Sequence, residues 1–186
     1  VLQRKSAPRS RTIDTGVTNV SSCHPLRLRL PAFFESADQG QHLQQLMTTR
    51  LNDYRARSGV PIPALDMDWQ PQNSASWSFD AYEVPLVQGL VDDSTSAEML
   101  ADEVLLGLRR NIKLFLDLQE TSIMVKEASA TAPDVVKEVL RAIPMQGLTT
   151  ILRNLAEEEV PLGNLKAVFE GLIRASQNDK DLSNLS

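Results

Sequence analysis

Leu26, Leu28 and Leu30 alternate with Arg27 and Arg29 before Pro31. A period of two predicts a half-buried strand with both arginines on its exposed face. Leu43, Leu46, Met47, Leu51 and Tyr54 then recur at helical spacing, which predicts one apolar stripe on a helix over about 37–58, stopped by Gly59. A second strand is expected where Leu65, Met67 and Trp69 alternate with Asp66 and Asp68. The run from Ser76 to Val91 reads as one longer strand carrying Trp77 and Phe79. Its apolar phase slips between Ala81 and Tyr82, and a β-bulge there accounts for the slip. Pro85 cannot donate a ladder hydrogen bond, so this part belongs on a sheet edge.

Beyond this run the period lengthens. Thr95 and Glu98 have capping-box spacing, and Leu100, Val104, Leu105, Leu108, Ile112, Phe115 and Leu116 form one face of a long helix expected over about 96–118. Pro133 opens a helix carrying Val135, Val136, Val139, Leu140 and Ile143, which Pro144 ends. Leu148, Ile151, Leu152 and Leu155 predict the next helix, and Leu165, Val168, Phe169 and Leu172 the last. The fold class is therefore α+β, a small mixed β-sheet with helices followed by an all-α helical bundle. The expected division is a flexible basic linker over 1–22, an α/β subdomain with its long connecting helix over 23–118, a helical subdomain over 119–180 and a polar tail over 181–186.

Charge changes this picture at the N-terminal end. Arg4, Lys5, Arg9, Arg11, Arg27 and Arg29 stand against Asp14, so residues 1–30 carry a net +5 in a chain whose total is -5. A basic, Ser-rich and Thr-rich opening suits either a linker near an anionic membrane face or a solvated tail. No uninterrupted apolar run approaches the roughly 20 residues of a membrane-spanning helix. The first residue is Val1, and no signal peptide or lipidation motif follows, which reads as a piece of a longer protein.

Candidate chemistry is sparse. Cys23 is the single cysteine, and with His24 and His42 it falls short of the four ligands of a structural zinc site, so no metal is expected. No nucleophile elbow, triad setting or glycine-rich phosphate loop occurs, which points to no enzyme, no catalytic residue and no cofactor. The helices around Val160-Pro161-Leu162 could pass for a helix-turn-helix, but the second offers only Lys166 and Arg174 behind Glu157, Glu158 and Glu159. Phosphates would be repelled, and no nucleic acid is expected. Those three glutamates oppose the helix macrodipole by roughly 0.3–1 kcal/mol each. They are either a solvated turn or a contact surface for a basic partner. Trp69 and Trp77 flank a polar connection and read as packing residues rather than a ligand cage.

The stretch LADEVLLGLRRNIKLFLDLQET followed by PDVVKEVLRAIPMQGLTTILRNLAEEEVPLGNLKAVFEGL resembles the FHIPEP family, the export-gate proteins of type III secretion systems, in the virulence-type branch rather than the flagellar one. LRLRLPAFF, YRARSGVPIPAL and AYEVPLVQGL resemble its first cytoplasmic subdomain, so the likeness runs from about Pro25 to Leu182. The resemblance implies the cytoplasmic region of an inner-membrane protein, forming a homo-oligomeric ring, typically of nine copies. Its implied partners are other copies of itself, chaperone-substrate complexes and the export ATPase with its stalk, and its membrane part would precede this chain.

Two departures accompany the resemblance. The family's small inserted subdomain, between the strand ending near Val91 and the next helix, is reduced to about ten residues, and its last α/β subdomain is missing. The family's turn Val-Ser-Ile-Arg-Asn is here Val160-Pro161-Leu162-Gly163-Asn164, which removes a capping acceptor worth about 1 kcal/mol. Arg141, Arg153, Glu157, Glu158, Glu159 and Asn164 are the expected protein-contact residues. The alternatives are a free-standing helical adaptor that binds one partner and a helix-turn-helix regulator.

Overall fold

The computed structural model describes residues 25–35, 38–71, 75–92 and 94–183. The linker over 1–22, with Cys23 and His24, lies outside them. Strand β1 (Leu26–Pro31) lies inside a four-stranded mixed sheet of order β2-β1-β3-β4, parallel to β2 (Asp66–Gln70) and antiparallel to β3 (Ser76–Ala81). Leu26, Leu28 and Leu30 are fully buried, and Leu28 pairs with Phe79 across the ladder. Arg27 and Arg29 point to the other face, as the alternation requires, but they are half-buried there rather than exposed. Arg29 lies 3.2 Å from the buried carboxylate of Asp80, and Arg27 lies 3.9 Å from Asp66.

The run from Ser76 to Val91 is two strands, not one. β3 turns back into β4 (Val84–Leu90) through Tyr82 and Glu83, both in the left-handed region at φ 50° and 66°. Two successive left-handed residues are what a tight two-residue hairpin needs, and Gly or Asn normally supplies them. Neither is present, so the sequence carried no turn signal. The Tyr82 N–H donates to the Pro25 carbonyl at 3.0 Å, and its ring lies 6.1 Å from that of Phe115, holding the turn in place. A register shift does occur, but between Phe79 and Asp80. β4 is an edge strand, where Pro85 is tolerated.

The sheet's apolar face is covered by α1 (Ala32–Glu35), α2 (Asp38–Ser58) and α3 (Ala97–Arg110). Ser96 rather than Thr95 caps α3, accepting from the Met99 N–H at 3.2 Å, while the Thr95 hydroxyl accepts from Asp92 N–H. The long helix expected over 96–118 breaks at Asn111, whose side-chain amide donates to the Gly107 carbonyl at 2.8 Å. A 3-10 turn (Ile112–Phe115) follows, and α4 (Leu118–Thr131) starts afresh under an Asp117 cap. Ile112, Phe115 and Leu116 are all buried, so the apolar pattern runs through the break and conceals it.

α5 (Pro133–Ala142), α6 (Met145–Glu157) and α7 (Leu165–Ser183) complete the chain, and α7 continues into the stretch expected as tail. One connected core runs from Leu26 to Phe169 through both halves. The two halves are tied at the end of α2. Leu162, in the α6–α7 turn, is 1% exposed and its N–H donates to the Ser58 carbonyl at 2.8 Å. Beside it Gly59 adopts φ +69°, and a Cβ there would lie 2.2 Å from the Gly163 nitrogen.

Gly59→Ala is expected to destabilise the chain by about 2–5 kcal/mol, from the left-handed backbone and the forced overlap together. Gly163→Ala, whose new Cβ would meet only the Ala56 carbonyl at 4.0 Å, should stay within about 1 kcal/mol and lean towards stabilising. Urea unfolding of both variants checks the contrast.

A second expectation concerns acid. Hydrogen bonding with Glu120, reinforced by the Glu120 and Gln119 backbone N–H groups, holds the Asp117 carboxyl below its usual range. The hydrogen bond with Asp117 pushes the Glu120 carboxyl the other way. A lowered folded pKa means that Asp117's contribution is complete above its unfolded value, about 3.9, and is lost as pH falls through the folded one. Asp117→Asn keeps an acceptor for the cap but removes this titration. Its melting temperature should therefore fall less steeply than that of the unsubstituted chain as the pH is lowered below about 4.

Candidate functional site

The structure gathers only part of the expected contact set. α6 ends at Glu157, whose carboxylate lies 2.5 Å from the Lys113 ammonium on the 3-10 turn. Glu159 is held in the left-handed region at φ 58°, and its carboxylate lies 3.8 Å from the Arg109 guanidinium at the end of α3. Glu158 between them is exposed and forms no ion pair among the described residues. The α6 C-terminus thus gains its countercharge from Arg109 and Lys113, each exposed pair being worth about 0.2–1 kcal/mol. The sequence signal for these partners was the basic run Arg109-Arg110-Asn111-Ile112-Lys113, some 45 residues upstream of the glutamates it meets.

The other three residues lie apart from this cluster. Arg153 is half-buried on α6 and its Nε donates to the Leu116 carbonyl, bridging α6 to the end of the 3-10 turn. Arg141 is exposed on α5 and pairs with Glu138 one turn earlier, at 3.1 Å. Asn164 caps α7: its Oδ1 accepts from Ala167 N–H at 3.2 Å. The cap expected to be missing from this turn is therefore supplied by Asn164 itself. Leu162 is a buried anchor, so the turn's apolar residue faces inward.

Sequence reasoning missed the residues that surround the glutamates. Tyr54 and Arg57 from α2, Arg109 from α3, and Ala156, Glu159, Val160 and Pro161 enclose a hollow of about 320 Å³. The Arg109 guanidinium stands 5.6 Å from the Tyr54 ring centre. Burial pushes the Tyr54 hydroxyl up, against the opposing pull of Arg109. No group of three or more His, Cys, Asp or Glu side chains that could hold a metal occurs among the described residues. His42 lies instead 2.7 Å from Glu98, which that hydrogen bond holds below the usual carboxylate range. Trp69 and Trp77 line different hollows and form no cage.

A second surface lies along α3. Its residues Glu98, Asp102 and Arg109 face α2, meeting His42, Arg50 and Tyr54. Gly107 packs against β4, where an added Cβ would lie 2.1 Å from Val87. Met99 and Leu106 occupy the flank between these two directions and are 53% and 46% exposed. Val84 at the start of β4 and Leu114 on the 3-10 turn are also exposed apolar side chains, at 60% and 47%. No described helix is long and apolar enough to cross a membrane.

Comparison with known proteins places this fold. The FHIPEP family model matches residues 72–186. Protein hrpC2 of Xanthomonas euvesicatoria is 26% identical over 161 residues, covering 85% of this chain and 25% of that protein. The hypersensitivity response secretion protein HrcV of Ralstonia nicotianae is 39% identical over 83 residues, covering 45% of this chain and 12% of its own length. The chain thus spans a quarter or less of these curated relatives. Among solved structures, the Chlamydia pneumoniae CdsV protein superposes with a TM-score of 0.73 at 17% identity, over 87% of this chain and 62% of that one. The nonameric EPEC SctV-C gives 0.70 at 19% identity, over 86% and 62%. The sheet followed by a helical bundle is therefore a shared fold. With more than half of its residues inside the family model, the chain belongs to the FHIPEP family of type III secretion export-gate proteins.

Proposed function

We propose that this chain is a cytoplasmic portion of a type III secretion export gate at the bacterial inner membrane, acting by assembly rather than catalysis. Copies associate head-to-tail into a ring that docks chaperone-substrate complexes and the ATPase stalk. Family membership supports the reading, as do relatives solved as a nonamer and as a CdsV and CdsO complex.

The observation on this chain that carries it is the exposed apolar strip of Met99 and Leu106 on α3, the helix that packs against the edge strand β4. Exposed apolar side chains gathered on one flank mark a surface that is covered in the working assembly. A head-to-tail contact joins two different faces of the same chain. The strip supplies the apolar face, and the charged end of α6 supplies a candidate for the other. Of the six expected contact residues, Glu158 and Arg141 are the two we assign to direct contact. Glu157 and Glu159 contribute through Lys113 and Arg109, and Arg153 and Asn164 by fixing the turn.

Leu106→Glu is expected to leave folding stability within about 0.5 kcal/mol, since the side chain is half exposed. It should nonetheless weaken self-association by about tenfold or more, read by native mass spectrometry and sedimentation across rising protein concentration. Unchanged association would remove the strip from the interface. A wild-type chain that stays monomeric even when cross-linked at high concentration would favour the free-standing adaptor.

A further inference from the structure

We infer that the hollow between α2, α3 and the α6–α7 turn is a docking site for an acidic, aliphatic-rich peptide segment of a partner protein. This goes beyond the ring reading and does not depend on it. The larger hollow, about 320 Å³, adjoins a second of about 230 Å³ that is also lined by Arg50, Asp53 and Leu105. Tyr54, Arg57 and Arg109 line both, so the three stand at the boundary of two neighbouring hollows.

Charge selects the occupant. Arg50 is already neutralised by Asp102. Arg57 has no carboxylate partner among the described residues, and its Nε reaches only the Asp53 backbone carbonyl, at 3.4 Å. The Arg109 guanidinium carbon stands 5.6 Å over the Tyr54 ring centre, and its acid, Glu159, stays 3.8 Å away, beyond hydrogen-bonding distance. The larger hollow therefore holds two guanidinium groups against one loosely placed carboxylate, while Asp53 borders only the smaller one. Guanidinium edges offer paired donors that fit a carboxylate. Much of the remaining lining is apolar: Ala156, Val160 and Pro161 share the hollow with the Tyr54 ring. A carboxylate with an aliphatic side chain beside it satisfies both surfaces.

Glu159 then acts as a resident competitor. It sits on a left-handed turn residue at the rim, facing Arg109, where an incoming carboxylate must go. Binding replaces a weak intramolecular contact with a closer one. Removing the Glu159 charge should therefore strengthen binding, an effect opposite in sign to removing either arginine charge.

The test uses the 186-residue chain and a fluorescein-labelled ten-residue peptide of alternating leucine and glutamate, with a leucine–glutamine peptide as control. Fluorescence anisotropy should give saturable binding of the acidic peptide below about 100 µM, as suits a weak transient contact. The glutamine peptide should bind at least about fivefold more weakly. Arg57→Gln, whose side chain makes only the long contact to Asp53, should weaken the acidic peptide about fivefold, and Glu159→Gln should strengthen it about twofold to threefold. Unchanged circular-dichroism melting shows that neither variant has lost its fold. Equal binding of both peptides, no saturation up to about 1 mM, or a Glu159→Gln variant that binds more weakly would each overturn the proposal. So would sedimentation showing that the cleft is filled by a second copy, with the peptide unable to compete.

Discussion

Gly59 carries no side chain, and the backbone of the α6–α7 turn occupies the space that a Cβ would need. That close approach lets the Leu162 N–H reach the Ser58 carbonyl and buries the Leu162 side chain in the core. It ties the α6–α7 turn of the helical half to the end of α2. The Arg153 bridge to Leu116 adds a second fixed point on the other side of α6. With the C-terminal half of α6 located by these two points, its last turn lies against the end of α3, and the glutamates there meet Arg109 and Lys113. The electrostatic arrangement is thus a consequence of a steric one.

The order of dependence also explains why three glutamates are tolerated where the helix dipole opposes them. Each opposes roughly 0.3–1 kcal/mol of dipole energy, which an exposed ion pair can offset but not greatly exceed. Glu157 and Glu159 have such pairs and Glu158 does not. The turn is therefore close to electrostatically neutral in its effect on stability, and its sequence is free to answer to something other than folding. Asn164, by contrast, has a folding task, because α7 has its cap there.

Much of this was legible from periodicity. β1, α2, α5 and α6 fall where alternation and three-four spacing put them, because each buries one face against a continuous core. The failures are equally physical. The β3–β4 turn was unreadable because Tyr82 and Glu83 adopt left-handed backbones without Gly or Asn, stabilised by Pro25 and Phe115 from outside the hairpin. The break at Asn111 was unreadable because buried residues continue on both sides of it. The charged cluster was out of reach for a different reason. Its members come from α3 and the α6 end, and no local pattern states which distant cation a carboxylate will meet.

α3 is the element these surfaces share. One flank carries Met99 and Leu106, the adjoining side carries the pairs with α2, and its C-terminal turn carries Arg109 to the Tyr54 ring. A helix gripped by β4 through Gly107 and by α2 through the Arg50–Asp102 ion pair and the His42–Glu98 hydrogen bond cannot shift on one flank without disturbing the other. If a neighbouring copy covers the Leu106 flank while an acidic segment occupies the cleft, the two events act on one rigid body. Coupling between them would then require no more than a small change in how α3 is seated against α2 and the α6–α7 turn.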